Sequence, residues 1–99
     1  MNTIIVHVYY TCKPGQAESF VRALKDSGAQ AAVRAEDGCL RYDYHISCET
    51  PDTVVLLEQW RSAAVLETHM TLPHMELIRR LKAEYVTDMK QERYEYPAV

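Results

Sequence analysis

Glycine is scarce in this sequence, with three residues in a chain of 99. They stand alone at positions 15, 28 and 38 and form no cluster. Loops that cradle nucleotide or flavin phosphates need several closely spaced glycines, because a side chain would hold the backbone away from the phosphate. The scarcity of glycine therefore excludes such a loop.

Long apolar runs and clusters of positive charge are also missing. No stretch approaches the roughly 20 apolar residues of a membrane-spanning helix, and "MNTIIVHVYY" lacks the basic segment and cleavage site of a secretory signal. The net charge is −3, and lysine and arginine form no run, which argues against a nucleic-acid partner. We therefore expect a cytoplasmic protein that binds neither membranes nor nucleic acids.

Cysteine is present three times, an odd number without metal-ligand spacing. Cys39 and Cys48 lie on one predicted strand, where an extended chain separates them by about 30 Å, so they cannot pair with each other. We expect all three cysteines to be reduced thiols, as is usual in the cytosol.

Phenylalanine occurs once, against seven tyrosines. Tyrosine suits ligand pockets and half-wet surfaces, because its buried ring keeps a polar tip that needs a partner. The length predicts a single domain over residues 1–99. A chain this short buries only roughly 60–65% of its unfolded surface, so oligomerisation is a common source of extra stability.

Hydrophobic periodicity predicts four strands and two helical regions, the second of them interrupted. Gly38 is a candidate C-cap for the first helical region, Ser62 is a good N-cap for the second, and Pro73 is tolerated in a first helical turn. In chain order, we predict a strand over 3–11, a helix over 17–35, strands over 39–48 and 54–61, helical segments over 63–70 and 74–85, and a polar edge strand over 86–96.

This order predicts an α+β fold, the ferredoxin-like βαββαβ arrangement with a four-stranded antiparallel sheet. Helices would cover one face of the sheet, and the other face should then be polar. Both alternating sets of residues are largely apolar instead, in the first strand (Ile4, Val6, Val8, Tyr10 and Ile5, His7, Tyr9) and at the start of the third (Val54, Leu56 and Val55, Leu57). Because large apolar patches rarely persist on monomers, we expect a homodimer that packs sheet against sheet.

The strongest candidates for chemistry lie in the segment "EQWRSAAVLETHMTLPHM". Glu58 and Trp60 are two residues apart on a predicted strand and therefore share one face. Periodicity places His69 and His74 on the inward stripes of two helical segments. A carboxylate among apolar residues needs a partner, and a histidine held by a carboxylate is a good general base near neutral pH.

Structural roles are alternatives for the same residues. An inward histidine is often a core or capping residue, and a lone tryptophan often belongs to the core. Glu58 has the alternative of an ion pair with Arg79 or Arg80.

A metal site is a further alternative. His69 and His74 are five residues apart, unlike the four-residue spacing of a helical zinc pair. A third ligand would have to come from His7, His45 or Glu58. We expect no metal.

Four motifs in register resemble the antibiotic biosynthesis monooxygenase superfamily, whose members include quinol and anthrone monooxygenases. The resemblance covers nearly the whole chain and implies a dimeric α+β barrel. Thr-Leu-Pro stands before the second histidine, where the family commonly has Thr-Pro. The motifs are "KPGQAESF", "EDGCLRYDYH" with Gly38 and Tyr42, "EQW" with Glu58 and Trp60, and "HMTLPH" with His69 and His74.

This resemblance implies an enzyme that oxygenates a small aromatic quinol or anthrone with O2 and without a cofactor. His69 or His74 would then act as the base or as a partner of the substrate hydroxyl. Glu58 would orient that histidine or balance its charge.

The resemblance also implies an aromatic pocket walled by Trp60 and Tyr42. His7 and His45 are further candidates for substrate binding, on a sheet face that the sequence leaves open. Three other functions stay as alternatives: an isomerase acting on a small carbonyl compound, a non-catalytic binder of small molecules and a haem-degrading enzyme.

Overall fold

Eight strands and helices form the part of the chain that the computed structural model describes, residues 2–97. No helix within those residues has the length and apolar character needed to cross a bilayer. In chain order the elements are β1 (Asn2–Cys12), α1 (Ala17–Asp26), α2 (Ala29–Arg34), β2 (Cys39–Ile46), β3 (Thr53–Trp60), α3 (Ala63–His69), α4 (His74–Tyr85) and β4 (Val86–Pro97).

The four strands form one antiparallel sheet in the order β2-β3-β1-β4. The predicted ferredoxin-like fold is confirmed, with a pair of helices at each of the two helical positions. The predicted β2–β3 hairpin is present, and β4 is an edge strand as expected.

One face of the sheet carries the core. Every second residue of β1 from Ile4 to Cys12 is buried, and so is every second residue of β3 from Val54 to Trp60. Phe20 of α1 is fully buried and packs edge-on against Tyr10, with ring centroids 5.5 Å apart. Glu58 and Trp60 therefore point toward the helices, as their period-two spacing predicts.

The opposite, outer face of the sheet carries the alternate residues. His7 pairs with Leu57, and Tyr9 with Val55. Each of these four side chains is only half-buried. Apolar and aromatic side chains therefore do occupy the outer face of the sheet, as predicted.

The first helical region differs from the prediction of one helix over 17–35. It is broken at Gly28, which has a φ of +82° and lies between α1 and α2. A left-handed residue stops the run of helical hydrogen bonds, and Gly28 N–H donates back to the carbonyl of Lys25. Two short helices consequently replace a single long one.

Two further predictions about this half of the chain were wrong. Gly38 is not a C-cap, because α2 ends at Arg34; it lies in the turn before β2 with a φ of +89°. The second strand ends at Ile46, so Cys48 is exposed in the β2–β3 connection. Cys12 is buried, Cys39 is half-buried, and no two of the three cysteines are joined.

The second helical region follows the prediction closely. Ser62 caps α3, where its hydroxyl accepts a hydrogen bond from the backbone N–H of Val65. Pro73 immediately precedes α4, which runs from His74 to Tyr85. Proline fits there because the first helical N–H groups need no partner within the helix.

Replacing Gly38 with alanine is expected to lower the free energy of unfolding by about 2–4 kcal/mol. The new Cβ would lie 2.7 Å from Val65 Cγ1, and this overlap adds to the cost of a left-handed backbone. Gly15→Ala is the matched control, since Gly15 has a φ of +76° but no atom within 4 Å of a new Cβ. Urea denaturation of both variants would measure the difference. Equal losses would mean that contact with Val65 is unimportant.

Candidate active site

A single carboxylate, Glu36, holds both predicted histidines. His69 Nδ1 lies 2.8 Å from Glu36 Oε2 and 3.0 Å from Oε1, and His74 Nε2 lies 2.7 Å from the same Oε2. The Glu36 side chain is 8% exposed and the His69 side chain 2%. A buried carboxylate needs such N–H donors, because an unpaired charge there would be costly.

The turn before β2 brings Glu36 to this position. Glu36 N–H donates to the carbonyl of Val33, and Cys39 N–H donates to the carbonyl of Glu36, which closes the turn. Gly38 carries no side chain, so this turn approaches Val65 closely. Because Val65 and His69 lie one turn apart on α3, the same close approach sets the Glu36 carboxylate beside His69.

The second nitrogen of His69 faces a cavity. Nε2 makes no hydrogen bond within residues 2–97, and in that range no buried side-chain nitrogen or oxygen lacks a partner. Nε2 must therefore keep some accessible surface, and His69 lines a cavity that Glu36 does not reach. When Nδ1–H donates to Glu36, the lone pair of Nε2 points toward this cavity.

Trp60 lies between His69 and the second carboxyl group of the site. Its ring stacks at a tilt on the His69 imidazole, with centroids 4.3 Å apart. Its indole N–H donates to Glu58 Oε1 at 3.0 Å. Trp60 is fully buried, so it can hold both neighbours in fixed orientations.

The Glu58 carboxyl is buried in largely apolar surroundings. Burial raises its pKa to about 7, and the Trp60 hydrogen bond and the positive charge of Lys82 only partly oppose this rise. Glu58 therefore exchanges a proton near neutral pH. Burial also lowers the pKa of His69, against the opposing effect of its hydrogen bond to Glu36, which favours the neutral imidazole that a base requires.

Of the two aromatic wall residues predicted from the sequence, Tyr42 lines the cavity and Trp60 does not. The Tyr42 ring lies 6.0 Å from the His69 ring and 6.3 Å from the Trp60 ring, centroid to centroid. Tyr44 O–H donates to the Tyr42 hydroxyl at 3.3 Å. Burial raises the pKa of the Tyr42 hydroxyl well above its usual range, so this group stays protonated.

The cavity itself has a volume of about 280 Å³, which suits a small ligand. Glu58, Tyr42 and His69 border it on one side, and the inward-facing residues of β4 border it on the other. Its apolar lining includes Val6, Val8, Leu66, Met75, Ile78 and Met89.

Two cations also line this cavity, Lys82 and Arg93. Lys82 is half-buried, and burial is the main reason that its pKa is lowered, followed by repulsion from Arg79. The sequence did not single out either residue, because neither belongs to a recognisable motif. Arg93 lies on a polar edge strand, and such a sequence predicts a solvent-exposed surface. Only the pairing of β4 with β1 shows that Arg93 lines the cavity.

The structure does not bring all predicted site residues together. His7 and His45 lie on the outer face of the sheet, away from the cavity. The predicted pairing of Glu58 with a histidine is also wrong, because Glu58 pairs with Trp60 and the histidines pair with Glu36.

The alternative ion pair of Glu58 with Arg79 or Arg80 is likewise absent. Both arginines instead pair with Glu76 on the exposed side of α4, at 3.3 and 3.9 Å. Glu36 was overlooked in the sequence because it lies in a turn far from the histidines along the chain. The only local feature that could have pointed to Glu36 is its position two residues before Gly38, a glycine with a positive φ.

Replacing Glu58 with glutamine is expected to flatten the pH dependence of stability. The folded-state pKa of about 7 exceeds the unfolded value of about 4.3, so the folded chain binds more protons between these values. The wild type therefore loses stability as pH rises through this window. Relative to wild type, Glu58→Gln should gain up to about 3 kcal/mol between pH 4 and pH 8.

Urea denaturation across that pH range measures the effect. Glu84→Gln, at an exposed position of α4, is the control and should leave the slope unchanged. Parallel profiles for wild type and Glu58→Gln would show that the Glu58 carboxyl is not destabilised by burial.

Comparison with known proteins places these features in a family. The family model described as "Antibiotic biosynthesis monooxygenase" matches residues 3–81. The chain is 34% identical to an Escherichia coli protein named "Probable quinol monooxygenase YgiN", with 77% of this chain and 79% of that protein covered.

Solved structures share the fold. PA3566 from Pseudomonas aeruginosa is 29% identical and has a TM-score of 0.82, and the match covers 100% of this chain and 97% of that chain. A conserved protein from Methanosarcina mazei Go1 reaches a TM-score of 0.85 at 23% identity, with 98% of this chain and 95% of that chain covered. The family match includes every residue of the Glu36–His69–His74 cluster and the Glu58–Trp60 pair. The chain belongs to the antibiotic biosynthesis monooxygenase family.

Proposed function

We propose that this protein is a monooxygenase that oxidises a small aromatic quinol or anthrone with O2 and without a cofactor. The observation that carries the proposal is the His69 imidazole, which lies between the buried Glu36 carboxylate and the cavity. The name of the Escherichia coli relative supports the substrate class.

His69 is the proposed base. Its Nε2 lone pair takes a proton from the substrate hydroxyl or from an activated ring carbon. The imidazolium that forms is stabilised by Glu36, which is 2.8 Å from Nδ1. A positioned general base typically contributes roughly 10²–10⁴-fold to a proton-transfer step.

The cavity walls fit the anion that this step produces. Tyr42 and the apolar side chains offer ring contacts, and Lys82 offers a positive charge that balances the substrate anion. Displacing water from this cavity would strengthen both effects, because charges interact more strongly in a dry site.

The oxygen step needs no external reductant. For an anthrone-type CH2 group, the carbanion transfers electrons to O2 and forms a carbon–oxygen bond. One oxygen atom stays as the new carbonyl oxygen, and the other leaves as water with the two hydrogens of the CH2 group. The substrate supplies all the electrons, so the side chains have only to move protons and exclude solvent.

Turnover of wild type and variants tests this function. Oxygen consumption is measured against a panel of quinols and anthrones, and Glu36→Gln and His69→Gln should each lower kcat by about a hundredfold. Asp37→Asn is the matched control, because it removes the neighbouring carboxylate, whose side chain is 91% exposed, and it should leave kcat within about twofold.

Three outcomes would contradict the proposal. Unchanged turnover in both variants would make the cluster structural. Product formation under strict anaerobiosis would indicate the isomerase alternative, which needs the same base but no oxygen. Tight binding across the panel without any product would indicate a binding protein.

We further propose that the outer face of the sheet packs against a second copy of the chain. Ile5, His7, Tyr9 and Leu57 are half-buried there, and Tyr94, the cross-strand partner of Ile5, is 40% exposed. Such a patch is costly on a monomer of 99 residues. A copy of the same face is the simplest complementary surface, since it offers the same rows of aliphatic and aromatic side chains.

Placing a charge on this face should separate the copies. Leu57→Glu is expected to convert a dimer into a monomer at micromolar concentration, because taking the new carboxylate out of water at the interface is costly. Ile46→Glu is the control, since Ile46 is 45% exposed and lies on the helix side of β2. Size-exclusion chromatography with light scattering reads out the mass; a monomeric wild type would contradict the proposal.

A further inference from the structure

Three side chains of the types that commonly bind metals lie close together, and they come from three separate segments of the chain. Glu36 lies in the turn before β2, His69 ends α3 and His74 begins α4. One ligand atom from each lies within 4.8 Å of the other two. We propose that Glu36, His69 and His74 form a site for a divalent transition-metal ion, with Zn²⁺ as the representative ligand.

The chemistry of the three donors suits such an ion. Two imidazole nitrogens and one carboxylate oxygen form a ligand set that Zn²⁺ and several neighbouring metals accept, with one or more positions left for water. The set differs from the one considered from the sequence, in which the third ligand was sought among His7, His45 and Glu58.

The spacing of the donors is close to what a metal requires. Bonds of 2.0–2.1 Å in a tetrahedral arrangement place ligand atoms about 3.3 Å apart. Glu36 Oε2 is now 2.8 Å from His69 Nδ1 and 2.7 Å from His74 Nε2. An ion that displaces the two N–H protons therefore needs each histidine nitrogen to move about 0.5 Å from the carboxylate oxygen. The two histidine nitrogens, which lie within 4.8 Å of each other, would have to approach by up to about 1.5 Å.

A path from solvent to the cluster exists. The His74 side chain is 24% exposed. Glu36 also borders a second cavity of about 310 Å³, which Val65, Thr68 and Leu72 line as well. The exposed part of His74, which does not line the substrate cavity, thus offers an ion a route to the cluster from solvent.

A metal ion bound at this site would prevent His69 from acting as the base. This inhibitory role rests on the proposed function. A metal bound to His69 Nδ1 takes the lone pair of that nitrogen, so the remaining proton of the neutral imidazole must reside on Nε2. Nε2 would then present an N–H to the substrate cavity in place of a lone pair. The bound ion accordingly acts as a reversible inhibitor.

Metal titration tests the site directly. Isothermal titration calorimetry with Zn²⁺, and visible absorption with Co²⁺ as a spectroscopic probe, should show one ion per chain for the wild type. Glu36→Gln and His74→Gln should each weaken binding by about tenfold or more, since altering even an outer-sphere partner of a metal typically costs 10–100-fold. His74→Gln keeps an N–H donor for Glu36, so this variant is expected to fold.

A surface-histidine control accompanies these variants. His45→Gln removes an exposed imidazole on the outer face of the sheet, and it should bind the metal as the wild type does. Absence of stoichiometric binding would overturn the proposal. So would equal affinity of the wild type and both cluster variants, or a tenfold loss in His45→Gln, provided that circular dichroism shows each variant folded.

Turnover with added Zn²⁺ separates this inference from the proposed function. Wild-type activity should fall in parallel with occupancy and return when a chelator is added. Binding without inhibition would establish the site and contradict the base role of His69. The rate of His74→Gln with Zn²⁺ is compared with the rate of the same variant without metal. If Zn²⁺ lowers this rate by the same factor as in the wild type, the metal acts elsewhere, and the cluster has no inhibitory role.

Discussion

The Glu36 carboxylate is the constraint on which the site depends. It accepts N–H donors from the last residue of α3 and the first residue of α4, two helices that meet at the Pro73 break. The turn that carries Glu36 is held close to α3 only because Gly38 leaves room beside Val65. Without the two imidazoles the carboxylate would be buried unpaired, and without the carboxylate the imidazoles would have no fixed tautomer.

Trp60 joins this cluster to Glu58, which lines the cavity. It stacks on His69 and donates its indole N–H to Glu58. One buried ring thus fixes the orientation of an imidazole and of a carboxyl group. Burial lowers the pKa of His69 and raises the pKa of Glu58 to about 7. Two proton-exchanging groups with environments of this kind are typical of sites that carry out acid–base chemistry.

The sequence predicted the arrangement of strands and helices well, because Ser62, Pro73 and the alternation in β1 and β3 are local signals. It predicted correctly that His69, Trp60 and Tyr42 point inward. It missed the break at Gly28, since an isolated glycine within an apolar helical pattern does not by itself indicate a left-handed residue. It assigned the wrong carboxylate to the histidines, because contact between Glu36 and His69 depends on how closely a turn approaches a helix. Periodicity carries no information about such distances.

The cavity has two parts that differ in burial. His69, Glu58 and Tyr42 belong to the buried core, where a change of one methylene group disturbs close packing. Met89, Gln91 and Arg93 also line the cavity, but they are exposed and lie on the edge strand β4. Substitutions there cost little folding free energy. Substitutions along β4 can therefore change the shape and charge of the cavity without disturbing the buried side that carries His69 and Glu58.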